Sequence, residues 1–125
     1  MILLDTDILI EIVDRQSDKG DGYMNRILES GEGYCTSSIN FHELMYVINK
    51  YSKSGEPIHK IPVIAYTKED GDLSSHLELL AEQNGKSVPR MDAMIASVAI
   101  NNGYNFYTLD NHFRNFKESG LKLFE

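Results

Sequence analysis

The chain has 125 residues, a net charge of −7 and one cysteine, Cys35. We expect residues 1–125 to form a single domain, and the lone cysteine excludes an internal disulfide framework and a cysteine-rich zinc site. The negative charge argues against a broad basic face for nucleic acid, and the lack of a long apolar segment or a basic leader predicts a cytoplasmic protein with no membrane partner.

Short apolar segments alternate with helical patterns along the chain. Strands are predicted at residues 2–4, 33–36, 105–108 and 121–124, and helices at 7–13, 23–29, 40–51, 72–83, 91–102 and 111–116. Gly20 and Gly22 indicate a loop, whereas residues 63–66 fit either a strand or the start of a helix. This alternation predicts a three-layer α/β/α fold with a mainly parallel central sheet.

Four acids fall where predicted strands end or helices begin. Asp5 and Asp110 follow strands, while Glu43 and Asp92 lie near the starts of helices. Ligands of open parallel sheets bind outside the carboxyl ends of the strands, so we expect these acids to face one crevice. Each acid also has a local explanation. Asp5 would cap the first helix, Glu43 would close a capping box that begins at Asn40, and Asp92 suits the positive end of a helix dipole. Asp110, which Asn111 follows, fits turn chemistry.

A cluster of four carboxylates requires a positive charge that offsets their mutual repulsion. Two unit charges about 4 Å apart repel by about 4 kcal/mol at an effective dielectric of 20. Ligands that are all oxygen favour hard cations such as Mg²⁺ or Mn²⁺, which support hydrolysis of phosphodiesters. The residues themselves therefore predict an acidic metal site and a phosphoryl substrate, and they do not specify RNA.

Four segments resemble, in order and spacing, the motifs of PIN domains. These segments are residues 3–10 (LLDTDILI), 36–44 (TSSINFHEL), 88–96 (VPRMDAMIA) and 107–113 (YTLDNHF). The resemblance covers the whole chain and is closest to the small PIN-domain toxins of the VapC type, which are ribonucleases held inactive by an antitoxin.

The resemblance implies an endoribonuclease that depends on Mg²⁺ or Mn²⁺ and cleaves structured RNA such as tRNA or rRNA. It also implies an antitoxin partner and a homodimer. The metal-binding and catalytic acids would be Asp5, Glu43, Asp92 and Asp110, with Thr108 and Asp7 as supporting residues.

Three basic residues in or next to the motifs are candidate RNA contacts, namely Lys86, Arg90 and Arg114. Their alternative role is that of ordinary solvated surface charges.

Other functions fit parts of this pattern. A phosphate-receiver domain has the same size and architecture, but Asp110 stands where that class needs a lysine. An aspartate-nucleophile phosphatase shares the segment from Asp5 to Asp7, but Leu9 departs from its usual pattern. A non-catalytic PIN scaffold would be favoured by a missing acid, and all four acids are present.

Overall fold

The computed structural model describes all 125 residues. A π-helical turn at Ile10–Asp14 continues the first helix, and a 3₁₀ helix spans Asn111–Ser119. The strands are β1 (Ile2–Leu4), β2 (Tyr34–Ser37), β3 (Val63–Ile64), β4 (Asn105–Tyr107) and β5 (Lys122–Leu123). The α-helices are α1 (Thr6–Leu9), α2 (Asp18–Ser30), α3 (Ser38–Lys50), α4 (Glu56–His59), α5 (Lys68–Gln83) and α6 (Arg90–Asn102).

All five strands run parallel in one sheet with the order β3-β2-β1-β4-β5. In the central strand β1, Ile2 lies opposite Tyr34 on one side and Asn105 on the other. Because β1 is paired on both edges, its carboxyl end lies in the middle of the sheet. In open parallel sheets, ligands bind at that edge.

Side chains alternate between the two faces of the sheet, and each face has its own core. Leu3, Cys35 and Phe106 pack in one core with α5, α6 and the 3₁₀ helix. Ile2, Leu4 and Tyr107 pack in the other with α1, α2 and α3. Helices therefore cover both faces, which confirms the predicted three-layer α/β/α class. Cys35 is a buried free cysteine within the first core.

The prediction of a loop at Gly20 and Gly22 is wrong, because both lie inside α2. The helix begins earlier than its apolar pattern indicates, since the Ser17 side chain caps it by accepting from the backbone N–H of Gly20. A Cβ atom added at Gly20 would lie 2.2 Å from the backbone oxygen of Glu11. This glycine therefore permits close packing of two helical segments and does not mark a turn.

The segment between α3 and α5 contains regular structure although it includes Gly55, Pro57 and Pro62. The short helix α4 has proline in its first turn, and residues 63–64 form edge strand β3. Helix α5 begins at Lys68, four residues before the predicted start, because Thr67 and Asp70 form a capping box. None of the helices is long and apolar enough to cross a membrane.

Candidate active site

The candidate site lies where the adjacent strands β1 and β4 end. Asp5 follows β1 directly, and its backbone N–H donates to the carbonyl oxygen of Tyr107, the last residue of β4, at 2.9 Å. Thr108 and Asp110 come next after β4. The pairing of the two strands therefore brings residues that are about a hundred positions apart in sequence to the same edge of the sheet.

Asp5 is almost completely buried and accepts three hydrogen bonds. Its Oδ1 accepts from the backbone N–H of Thr6 at 2.8 Å and from Nδ2 of Asn40 at 3.0 Å. Its Oδ2 accepts from the hydroxyl of Thr108 at 2.6 Å. Asp5 is also the N-cap of α1, so the capping interpretation and the site interpretation both describe the same side chain.

Glu43 does not reach back to the start of α3 as a capping box would require. The N-cap of that helix is Ser37, which bonds to the backbone N–H of Asn40. Instead, Oε1 of Glu43 accepts from the hydroxyl of Thr6 at 2.9 Å, in the turn that follows Asp5. This contact connects α3 to the end of β1.

Thr108 connects three of the acids through one hydroxyl group. Besides its bond to Asp5, this hydroxyl lies 3.4 Å from Oδ2 of Asp7 and accepts from the backbone N–H of Asp110 at 3.0 Å. Oδ2 of Asp7 also accepts from the backbone N–H of Leu109 at 3.0 Å. Thr108, which the sequence predicted as a supporting residue, thus lies among the acids and bonds to them.

The pKa shifts of Asp5 and Asp7 show which acids lie close enough to repel one another. Burial, and then the charges of Asp7 and Glu43, raise the pKa of Asp5 to about 7 against the opposing hydrogen bonds from Thr108 and Thr6. Burial is also the main cause of the raised pKa of Asp7, to which the charge of Asp110 contributes.

Asp92 is connected to the same group of charges. Its pKa is raised by burial first and then by the charges of Asp110 and Glu43, while His112 opposes the shift. Asp92 lies in the first turn of α6, and Asp110 caps the 3₁₀ helix by accepting from the backbone N–H of His112 at 2.8 Å. The four predicted acids and Asp7 therefore form one region of mutual repulsion.

The donor set suits a hard divalent cation, although the side chains do not converge on a point as they stand. No three His, Cys, Asp or Glu groups are close enough together to hold an ion in this arrangement. The available ligands are carboxylate oxygens, and Oδ1 of Asp7 is buried without any hydrogen-bond partner. Such oxygen ligands fit Mg²⁺ or Mn²⁺ better than softer metals.

Of the three predicted RNA contacts, two form ion pairs with acids outside the candidate site. Arg90 donates to Glu78 at 2.9 Å, and Arg114 donates to Glu125 at 2.6 Å. Arg114 lines a recess with Thr108 and Asp110, and it also lines a groove of about 480 Å³ that includes Lys86. Arg114 thus borders both the recess of Asp110 and the groove that Lys86 lines, whereas Arg90 lines neither.

Asn40 and Thr6 contact the acids but were not among the residues that the sequence predicted as site residues. Asn40 is fully buried and bonds to both Asp5 and Thr6. In the sequence, Asn40 reads as the first residue of a capping box for α3. Its contact with Asp5 appears only in the folded structure, because the two residues are far apart in the sequence.

Comparison with known proteins identifies a family. The family model described as PIN domain matches residues 2–119. Among curated protein sequences, none matches this chain.

Solved structures share the fold over nearly their whole length. VapBC2 from Rickettsia felis, bound to a DNA fragment from its promoter, aligns with a TM-score of 0.78 and 24% identity over 99% of this chain and 98% of that chain. FitAcB from Neisseria gonorrhoeae aligns with a TM-score of 0.74 and 20% identity, covering 100% and 97% of the two chains. VapC20 from Mycobacterium tuberculosis, a sarcin–ricin loop cleaving toxin, aligns with a TM-score of 0.66 and 19% identity, covering 97% of this chain and 96% of that chain.

Proposed function

This chain belongs to the PIN domain family, and we propose that it is a metal-dependent endoribonuclease that acts as the toxin of a toxin–antitoxin pair. The observation that carries the proposal is the group of acids at the carboxyl ends of β1 and β4. Burial raises the pKa of three of them, Asp5, Asp7 and Asp92, and neighbouring carboxylates add to each shift. A fold keeps such an unfavourable arrangement where a cation compensates for it.

In this proposal, Asp5, Glu43, Asp92 and Asp110 hold Mg²⁺ or Mn²⁺. The chemistry that such a cation supplies when bound is activation of water and stabilisation of charge at a phosphodiester. Thr108 keeps the Asp5 carboxylate in place, and Asp7 in turn accepts from the backbone N–H of Leu109 and so fixes the turn after β4.

RNA is the proposed substrate because Arg114, a candidate phosphate contact, lines the same recess as Thr108 and Asp110. Arg114 lies between the recess of Asp110 and the groove of Lys86. Contacts from such side chains to phosphates position a nucleic acid without reading its sequence. The similar fold of a sarcin–ricin loop cleaving toxin supports a structured RNA, such as an rRNA or tRNA, as the substrate.

A protein partner is part of the proposal. Structures of similar fold include a toxin–antitoxin complex from Klebsiella pneumoniae, which supports an antitoxin for this chain. We also propose that the toxin is a cytoplasmic homodimer. Size-exclusion chromatography with light scattering of the purified chain tests the dimer directly, since a monomer at micromolar concentration would contradict it.

The nuclease proposal is tested by cleavage of tRNA and rRNA fragments with Mn²⁺, with EDTA, and with the Asp92→Asn variant. We expect cleavage that requires Mn²⁺ and is lost in the variant. The matched control is Asp21→Asn, which changes an exposed aspartate in the first turn of α2 and should leave cleavage unchanged. Absence of both cleavage and calorimetric Mn²⁺ binding in the unaltered protein would favour a non-catalytic PIN scaffold.

A further inference from the structure

Asn40 is a buried amide that contacts two residues of the proposed site at once. It lies in the first turn of α3, one turn before Glu43, and its exposed fraction is 0%. Its Nδ2 donates to Oδ1 of Asp5 at 3.0 Å and to the hydroxyl oxygen of Thr6 at 2.9 Å. Both hydrogens of the amide are therefore used, as burial of a polar group requires.

Ser37 fixes the direction in which this amide points. The backbone N–H of Asn40 donates to the Ser37 hydroxyl oxygen at 3.1 Å, and the hydroxyl hydrogen is then donated to Oδ1 of Asn40 at 2.6 Å. A rotation of the amide by half a turn would place its oxygen against the Asp5 carboxylate and lose the bond from Ser37. The network therefore keeps the donors of Asn40 aimed at the acids.

The same amide acts on Glu43 through Thr6. The Thr6 hydroxyl accepts from Asn40, so its single hydrogen is directed to Oε1 of Glu43 at 2.9 Å. Oε2 of Glu43 accepts no hydrogen bond. One side chain thus sets the orientation of two carboxylates that belong to different elements of the fold.

Helix capping does not require this side chain. The cap of α3 is the bond from the backbone N–H of residue 40 to Ser37, and any residue other than proline can donate it. We infer that Asn40 is a positioning residue that restrains the carboxylates of Asp5 and Glu43 beside the other acids and so favours binding of the divalent cation. This inference rests on the proposed function and deepens it.

The test is the affinity for Mn²⁺ alone, measured by titration calorimetry on the purified protein. Asn40→Leu keeps the size of the side chain and removes its donors. We expect Mn²⁺ to bind about 10- to 100-fold more weakly, which is the usual loss when a partner of a metal ligand is removed.

A matched control exists at the far end of α6 from Asp92. Nδ2 of Asn101 donates to the buried Asp70 at 2.8 Å, so Asn101→Leu removes the same kind of bond away from the acids. We expect Asn101→Leu to bind Mn²⁺ as the unaltered protein does. Urea unfolding in EDTA, measured for both variants, separates lost stability from lost positioning.

Thr6→Val tests the relay to Glu43 without altering Asn40. It removes only the hydroxyl, because the backbone N–H of Thr6 still donates to Asp5. We expect Mn²⁺ to bind about three- to tenfold more weakly, as for the loss of one hydrogen bond. In the double variant with Asn40→Leu, the combined loss should be smaller than the product of the two single losses, since both act on one network.

The outcomes separate this inference from the proposed function. If the unaltered protein binds no Mn²⁺, the proposed function fails and the inference fails with it. If it binds Mn²⁺ and folded Asn40→Leu binds equally well, only the inference is overturned. If Asn40→Leu does not fold, Thr6→Val decides, because unchanged affinity in that variant would also overturn the inference.

Discussion

The buried carboxyl of Asp5 makes the stability of the metal-free protein depend on pH in an unusual direction. Its pKa is about 7 in the folded protein, against an ordinary value of 3.8. Between these two values the folded chain keeps a proton that the unfolded chain has lost. The free energy of unfolding therefore falls as pH rises from about 4 to 7, and Asp5 has no further effect above that range.

The Asp5→Asn variant removes this dependence while its amide can keep the hydrogen bonds. The amide oxygen can accept from Thr6 and Asn40, and the amide nitrogen can donate to the Thr108 hydroxyl, which then turns toward Asp7. Each pKa unit corresponds to about 1.4 kcal/mol, and pH 5 lies about two units below the folded pKa of Asp5. From pH 5 to pH 8 the variant should therefore gain about 2–3 kcal/mol in stability relative to the unaltered protein.

The assay is urea unfolding followed by circular dichroism at pH 5 and pH 8, in EDTA, for both proteins. Asp21→Asn serves as the exposed control, for which the difference from the unaltered protein should be the same at both pH values. If the Asp5→Asn difference changes by less than about 0.5 kcal/mol between the two pH values, the carboxyl is not desolvated as the structure indicates.

Three further predictions concern four single substitutions. Gly20→Ala should destabilise the fold by about 1–3 kcal/mol, because its Cβ would overlap the backbone of Glu11. Gly22→Ala should stabilise α2 by about 0.5–1 kcal/mol, because no atom lies within 4 Å of the added Cβ. Thermal unfolding of the two variants checks this, and equal effects on stability would contradict it. Arg114→Ala should weaken RNA binding and reduce the slope of log affinity against log salt by about 0.7–1, with Mn²⁺ affinity unchanged; an unaltered slope would remove Arg114 from the interface. Thr108→Val loses the 2.6 Å bond to Asp5 and should slow single-turnover RNA cleavage by about 10- to 100-fold at saturating Mn²⁺, so an unchanged rate would exclude its supporting role.

The inner strands β1 and β4 could be predicted from the sequence because most of their residues are buried. Residues 2–4 read as a short apolar segment, and Phe106 and Tyr107 are the buried apolar residues of β4, as expected of strands that are covered on both faces. The start of α2 could not be predicted, because two glycines outweigh its apolar pattern locally. The cap from Ser17 and the close approach to Glu11 decide that region, and the second of these is a tertiary contact.

The candidate site shows the same division between local and long-range information. The four acids could be selected from the sequence because strand ends and helix starts have local signatures. The role inferred for Asn40 has no such signature. It depends on a hydrogen bond between residues 40 and 5, which exists only once β1 and β2 have paired.

Helix capping and clustering of acids are not alternatives in this fold. Asp5 and Asp110 are N-caps, and they are also members of the acidic group. In a parallel sheet each strand leads into a helix whose first N–H groups lie at the edge where ligands bind, so capping carboxylates are brought to that edge together. Hydrogen bonds from Thr6 and Thr108 lower the pKa of Asp5, yet it still lies near 7. The caps therefore offset only part of the cost of burying this carboxylate beside Asp7 and Glu43, and we propose that a divalent cation compensates for the rest.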